Sequence, residues 1–167
     1  SGYMLAFAAT LIIAGNLGDK FGRKRLFLSG AALFGLASLA AGLSGSGAEL
    51  IIARIVQGAA AAAMAPQVLA TFRVIFGRAE RGKAFGIYGA MLGFASAIGL
   101  VLGGLLTGAN LFGWEWRSVF YVNVPVAVAA LIAGARLVPE TRDPAARRPN
   151  LPGAVLLAGS LVAIVYP

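Results

Sequence analysis

Residues 26–48 read LFLSGAALFGLASLAAGLSGSGA and contain no charged side chain. About 20 consecutive apolar residues are enough for a helix to cross the hydrocarbon core of a bilayer, so this stretch predicts a membrane-spanning helix. Further charge-free stretches of comparable length occupy residues 1–18, 55–72, 84–114, 118–135 and 149–167. The chain is therefore predicted to be all-α, a polytopic transmembrane helix bundle.

The composition excludes several classes of protein. Hydrophobic residues make up 59% of the chain and charged residues 12%, with a mean hydropathy of +0.85, whereas soluble domains carry about 25% charged residues. Disordered segments are poor in apolar residues, so the same figures exclude disorder. With no Cys, the chain has no disulfide scaffold and no Cys-ligated zinc or iron–sulfur site, and with no His it lacks the commonest metal ligand and the commonest general base. No metal, no cofactor and no catalytic constellation of an enzyme are expected.

The basic residues are unevenly distributed among the connections between the predicted spans. Twelve of the 14 Lys and Arg residues lie in the first, third and fifth connections, within residues 19–25, 73–83 and 136–148. Cytoplasmic loops of membrane proteins carry the excess of Lys and Arg, so these connections are predicted to face the cytoplasm. The net charge of +8 then follows from topology, and no nucleic-acid partner is expected.

The same alternation predicts that Ser1 faces the outer side of the membrane. The sequence has no initiator Met and no basic segment ahead of its first apolar stretch, so residues 1–13 do not form a signal peptide. We interpret the sequence as part of a longer protein, with one helix before it and more helices after it.

The first connection reads GNLGDKFGRKR over residues 15–25. A glycine at position 22 permits a tight turn, and Asp19 can pair with a basic residue. The string resembles the loop between the second and third helices of the major facilitator superfamily, and the matching residues are Gly15, Leu17, Asp19, Gly22, Arg23, Lys24 and Arg25. The resemblance implies a conformational latch that stabilises the outward-open state, carried by Asp19 and Arg23.

The third predicted span opens with ELIIARIVQG over residues 49–58, so Arg54 lies inside the membrane, about one helical turn after Glu49. An intramembrane Arg costs about 2.5–3.5 kcal/mol, which makes Arg54 a functional candidate, although its head group could also snorkel to the outer interface. Arg54, Gln57 and Gly58 resemble the R-x-x-Q-G motif of the family's fourth helix, which implies proton coupling by Arg54 and Gln57. The sequence has no Asp or Glu well inside a span, so the proton-binding carboxylate is expected elsewhere in the parent protein.

The fourth predicted span is rich in glycine. Its residues Gly99, Gly103 and Gly104 resemble the antiporter motif of the family's fifth helix, where they serve close helix packing. Leu100 stands where that motif has proline, so the proline kink is not expected here.

The segment after the fourth connection reads WRSVFYVNVP over residues 116–125. Tryptophans are enriched at membrane interfaces, and a proline inside the next span predicts a kink. Trp116, Arg117, Phe120, Asn123 and Pro125 resemble a stretch that is typical of the family's 14-helix drug:proton antiporter branch.

The resemblance assigns helices 2 to 6 of the N-terminal transporter bundle to residues 1–148, and the start of helix 7 to residues 149–167. It implies a secondary active transporter that exports drugs or other small lipophilic or cationic compounds in exchange for protons, in the plasma membrane of a bacterium. The expected partners are the small-molecule substrate, protons, the lipid bilayer and the remaining helices of the parent chain. Transport of a sugar, amino acid or siderophore is the alternative, whereas an intramembrane enzyme or scaffold is disfavoured.

Overall fold

The computed structural model describes residues 2–109, 113–141, 156 and 160, without the side chains of residues 12, 109 and 115. No strand occurs among these residues, as the sequence predicts. The elements are α1 (Gly2–Phe21), α2 (Arg23–Leu43), α3 (Gly47–Ile75), α4 (Arg78–Ala109), a 3₁₀ turn (Glu115–Arg117), α5 (Ser118–Tyr121) and α6 (Asn123–Leu137). The predicted sixth span, residues 149–167, lies outside the described residues apart from positions 156 and 160.

Four helical segments of the described chain are each long and apolar enough to cross a membrane: α2, α3, α4 and the combined segment Ser118–Leu137. Helix α1 bends by 51° between its two parts, Gly2–Leu11 and Ile13–Phe21. Taken together, these two parts provide a fifth candidate span. Helices α3 and α4 begin well before the charge-free stretches 55–72 and 84–114 that predicted them. Charged residues are tolerated in these first turns because the turns lie near the membrane surface.

Small side chains form the centre of the bundle, where α3 packs against both α1 and α2. The most buried hydrophobic residues are alanines, among them Ala14, Ala31, Ala41, Ala60 and Ala62. A side chain at Gly30 of α2 would lie 3.0 Å from the carbonyl oxygen of Ala60. Transmembrane helices associate by such close backbone approach, since lipid provides no hydrophobic driving force between them.

The turn between α1 and α2 depends on one glycine. Gly22 adopts φ 105°, which residues with a side chain rarely adopt. Its N–H bonds to the carbonyl of Gly18 at the end of α1, and its own carbonyl accepts from Leu26 in α2. The two helices are therefore joined by a single residue, and the charged side chains that flank it are brought together.

Basic side chains satisfy the carbonyls that two helices leave unpaired at their C-terminal ends. Arg81 donates to the carbonyls of Arg73 (2.6 Å) and Phe76 (3.2 Å) at the end of α3. Lys24 donates to the carbonyl of Ala135 (2.7 Å) in the last turn of α6. The last four carbonyls of a helix have no partner within it, and cations are favoured there. These residues thus have a structural role beyond membrane topology.

Long-range contacts show which connections share an end of the bundle. Arg25 of the first connection pairs with Glu140 after α6, at 3.5 Å. At the opposite end, Arg117 donates to the carbonyl of Ser44, which joins the second and fourth connections. The first and fifth connections therefore share one end of the bundle, and the second and fourth connections share the other, in agreement with the predicted alternation. We call the end that carries residues 19–25 the basic end and the opposite one the Arg54 end.

Helix α4 is attached to the rest of the described chain mainly near its two ends. Phe72 of α3 contacts the rings of Phe85 and Tyr88 at one end. Ser118 donates to the carbonyl of Leu106 at 3.3 Å at the other. The middle of α4 is exposed.

Candidate functional site

Arg54 begins a chain of polar side chains at the Arg54 end of the bundle. Its Nη1 donates to Oε1 of Gln57 at 2.6 Å, and Nε2 of Gln57 donates to Oγ of Ser38 at 2.6 Å. The Ser38 hydroxyl then donates to the carbonyl of Phe34 at 2.7 Å. Gln57 and Ser38 are 1% and 0% exposed, so the chain connects the half-buried Arg54 of α3 with the interior of α2.

Two aromatic rings from other helices lie close to the guanidinium of Arg54. Its Cζ is 4.5 Å from the ring centre of Tyr3 in α1 and 5.6 Å from that of Phe120 in α5. Both distances fall within the range of cation–π interactions. Three helices therefore converge on this one charge.

Gly58 allows α1 to reach this position. A side chain at Gly58 would collide with the backbone of Tyr3, whose Cα and carbonyl carbon would lie 3.1 and 3.0 Å from the added Cβ. The glycine of R-x-x-Q-G thus lets the first turn of α1 lie directly on α3, which brings the Tyr3 ring to Arg54.

Among the described side chains, which do not include that of Glu115, no Asp or Glu forms a salt bridge with Arg54. Glu49, the nearest acid in sequence, is used elsewhere: its Oε2 accepts from the N–H of Gly45 at 2.8 Å, while its own N–H donates to the Ser46 hydroxyl at 3.3 Å. This reciprocal cap fixes the start of α3 and leaves Arg54 to its amide and aromatic partners.

The basic end contains a second arginine site, with different chemistry. Oδ1 of Asp19 accepts from both Nε (3.0 Å) and Nη2 (2.7 Å) of Arg23, across the Gly22 turn. The backbone N–H of Arg23 donates to the carbonyl of Thr141 at 3.1 Å. With the Lys24 and Arg25 contacts described above, three consecutive basic residues hold the last turn of α6 and the segment that follows it. Gly15 lies further inside, on a cavity of about 240 Å³ that Asp19 also lines.

Gln67 of α3 is a polar residue that the sequence analysis did not identify. It is 2% exposed and donates from Nε2 to the carbonyl of Ala14 at 2.8 Å. Its Oε1 lies against Gly18 and has no hydrogen-bond partner among the residues that the structure describes. A glutamine within an apolar stretch was the available signal, since buried amides require partners.

The segment after the fourth connection holds the C-terminal end of α2. Arg117 lies over the ring of Trp116 at 4.7 Å and donates to the Ser44 carbonyl at 3.0 Å. The hydroxyl of Tyr121 donates to the carbonyl of Gly42 at 2.9 Å. Arg117 and Tyr121 therefore fasten this segment to the C-terminal end of α2, at the Arg54 end of the bundle.

Asn123 and Pro125 occupy the first turn of α6, and Pro125 is exposed. The α-helical assignment is interrupted at Val122, although this residue keeps helical dihedral angles (φ −63°, ψ −24°). Proline cannot donate a hydrogen bond to the residue four positions earlier, which accounts for a break between α5 and α6 at this place.

No other helix packs against the three motif glycines of α4, Gly99, Gly103 and Gly104, in the described part of the chain: an added Cβ at any of them would find open space within 4 Å. Helix α4 continues without interruption past Leu100. The packing role expected for these glycines stays a prediction, because no neighbouring helix faces them here.

Comparison with known proteins identifies the family to which these two arginine sites belong. A profile described as Major Facilitator Superfamily matches residues 1–165. The chain belongs to the major facilitator superfamily. It is accordingly a multi-pass protein of the plasma membrane, in a family that moves small molecules across membranes.

Individual members of the superfamily are similar to the chain over nearly its whole length. The puromycin resistance protein of Streptomyces alboniger is 48% identical over 98% of this chain, and the tetracenomycin C resistance and export protein of Streptomyces glaucescens is 41% identical over 99%. The multidrug resistance protein Stp of Mycobacterium tuberculosis is 39% identical over 98%. The chain spans about 30% of the length of these major facilitator proteins.

Proposed function

We propose that the protein is a proton-coupled exporter of small lipophilic or cationic compounds, which works by alternating access. Membership in the major facilitator superfamily and similarity to resistance and export proteins support this proposal. The observation that carries the proton coupling is the Arg54–Gln57–Ser38 chain, which holds a cation at a membrane helix. No described side chain, a set that leaves out Glu115, forms a salt bridge with this cation.

The chemistry of Arg54 suits it to tune a proton carrier rather than to carry the proton. A guanidinium stays charged and has five N–H donors, of which one donates to Gln57. Its positive charge favours the ionised form of any carboxylate that approaches it. Arg54 would therefore assist proton release from a carboxylate supplied by another part of the parent protein, and Gln57 would fix its orientation.

The Asp19–Arg23 pair supports a conformational role at the basic end, which we place on the cytoplasmic side. The pair bridges α1 and α2, while Lys24 holds the last turn of α6 and Arg25 the segment after it. A latch of this kind would favour one of two arrangements of the transporter halves, as rigid-body rocking requires. Gly15 lies beside Asp19 on the same cavity, and Gly22 provides the turn.

We further assign residues 1–148 to helices 2 to 6 of the N-terminal bundle and residues 149–167 to the start of helix 7. In this arrangement Gly99, Gly103 and Gly104 would pack against the remaining helices of the parent chain. The proposed protein is not an enzyme, and its energy source is the proton gradient, since the sequence lacks the phosphate-binding string G-x-x-x-x-G-K-[ST].

The test uses the full-length protein in everted membrane vesicles with an acidified lumen. Addition of puromycin or of a lipophilic cation such as ethidium should raise the lumenal pH, because protons leave as the compound enters. Arg54→Ala should abolish this response, and Arg136→Ala, which removes an exposed arginine from α6, should preserve it. A full response in Arg54→Ala would reduce Arg54 to an anchoring residue.

Failure of wild-type vesicles to respond to any such compound would contradict drug antiport. It would favour transport of a sugar, amino acid or siderophore, an alternative that the replacement of the motif proline by Leu100 supports. Uptake assays with labelled metabolites would then decide the substrate class.

A further inference from the structure

We infer that Tyr3 and Phe120 are positioning residues for Arg54, and that their two rings hold its guanidinium in place for coupling. This inference rests on the proposed function. The ring centres lie 4.5 and 5.6 Å from the guanidinium carbon, one on α1 and the other on α5. Neither residue belongs to the R-x-x-Q-G string, and they approach α3 from separate helices.

Aromatic rings hold a cation without neutralising it. A carboxylate at the same distance would form a salt bridge and would compete with the acid that carries the proton. A ring face attracts the cation through its quadrupole only, so the charge and most N–H donors of Arg54 stay available. Arg54 has no salt bridge to any of the described acidic side chains, Glu115 not being among them, which fits such an arrangement.

Each ring is itself held by a neighbour. Tyr3 stacks on Phe7 of the same helix, with ring centres 6.3 Å apart, and its backbone lies against Gly58. Phe120 meets Trp116 edge to face at 6.0 Å. These contacts restrict the rotamers of both aromatic residues, and therefore restrict the guanidinium between them.

The same arrangement brings two separate sequence motifs, R-x-x-Q-G and W-R-x-x-F, into contact. Phe120 belongs to the W-R-x-x-F segment, which Arg117 ties to the end of α2 through the Ser44 carbonyl. Gln57 ties Arg54 to Ser38 of the same helix α2. Movement of α5 relative to α2 or α3 would therefore displace a ring from Arg54, which makes the position of the charge sensitive to conformation.

The first test compares ring-removing and ring-retaining variants of the full-length protein in everted vesicles. Tyr3→Leu and Phe120→Leu should each lower the maximal rate of drug-dependent proton exit about fivefold, the equivalent of one cation–π contact, with the KM for the drug unchanged. Tyr3→Phe keeps the ring and should retain the wild-type rate. Phe94→Leu, which removes a 69% exposed ring from α4, is the matched control. Equal losses in Tyr3→Phe and Tyr3→Leu, or a wild-type rate in Tyr3→Leu, would overturn the inference.

A second measurement does not depend on transport. In ¹⁵N-arginine-labelled protein in lipid nanodiscs, the side-chain Nε–H resonance of Arg54, assigned through Arg54→Lys, should carry a ring-current shift. That shift should diminish in Tyr3→Leu and persist in Tyr3→Phe. A resonance that stays unchanged in both Tyr3→Leu and Phe120→Leu would refute the positioning role, whether or not proton antiport is found. Loss of the ring-current shift would support the positioning role, again independently of antiport.

Discussion

Arg23 and Arg54 stand at opposite ends of the same small-residue core, and their partners differ in kind. Arg23 meets a carboxylate, Asp19, through two N–H groups. Arg54 meets an amide and two aromatic rings. A carboxylate neutralises the arginine that it binds, whereas amides and rings orient a cation and leave its charge in place. The contacts at the basic end thus hold helices and connections together, whereas the contacts at the Arg54 end leave the positive charge of the guanidinium available.

The partners at the two ends also differ in exposure. At the basic end the Arg25 and Glu140 side chains are 71% and 35% exposed, so water and salt screen their attraction. At the other end Gln57 and Ser38 are almost fully buried, where an unpaired polar atom is costly. Substitutions at the Arg54 end should accordingly have the larger effects.

The largest expected effect is on the free energy of unfolding. It should differ between alanine substitutions at two glycines, Gly58 at the Arg54 end and Gly18 at the basic end. An added Cβ at Gly58 meets the backbone of Tyr3, which cannot move without displacing α1. We expect Gly58→Ala to lower the free energy of unfolding by roughly 2–3 kcal/mol, the cost of overpacking. Thermal unfolding of the purified full-length protein in detergent measures the change.

The same substitution at Gly18 meets the flexible side chain of Gln67. Gly18→Ala should therefore cost less than Gly58→Ala, and Gln67→Ala should relieve it in a double-mutant cycle. Gly82→Ala, near the charged start of α4 where an added Cβ meets no described atom within 4 Å, is the control for the intrinsic gain of alanine in a helix. Equal losses at positions 18 and 58 would contradict the distinction between side-chain and backbone neighbours.

The next effect compares two buried glutamines. Gln57→Leu removes the acceptor of Arg54 and the donor to Ser38 at once, and should destabilise the protein by roughly 2–3 kcal/mol because buried polar partners are left unpaired. Gln67→Leu removes one hydrogen bond together with an oxygen that has no partner, so we expect about 0–1 kcal/mol. Melting temperatures of the two variants side by side test this, and a greater loss in Gln67→Leu would refute it.

A smaller loss of stability is expected when side chains that donate to carbonyls at helix C-terminal ends are removed, and Tyr121 and Lys24 are two such side chains. Tyr121→Phe deletes one part-buried hydrogen bond to Gly42 and should cost about 0.5–1.5 kcal/mol. Lys24→Met deletes an exposed one to Ala135 and should cost less. Chemical denaturation at matched detergent concentration would detect the difference; a reversed order would show that exposure is not what sets these contributions.

The smallest effect concerns the Arg25–Glu140 pair. A double-mutant cycle with Arg25→Ala and Glu140→Ala should give a coupling of about 0.2–1 kcal/mol, typical of exposed pairs. The coupling should fall as salt is raised, since the Debye length shortens to about 3 Å at 1 M. A coupling that resists salt would mean that the pair is shielded from solvent in the membrane-bound protein.

The sequence alone was sufficient for the broad architecture. Charge-free runs long enough to span a bilayer predicted the helices that the structure contains, because hydrocarbon excludes both charges and unpaired backbone. The placement of the basic residues predicted which connections share an end. The superfamily was also predicted, from the residues of the first connection and of α3, and the profile match confirms it.

The partners of the motif residues were decided only by the tertiary structure. Ser38, Tyr3 and Phe120 lie on three different helices, and spacing along the chain does not say which face of one helix meets another. That choice depends on where small residues such as Gly58 let backbones approach. The sequence thus determined that an arginine lies within a membrane helix, and the packing of α1, α2 and α5 around α3 determined that an amide and two rings hold it.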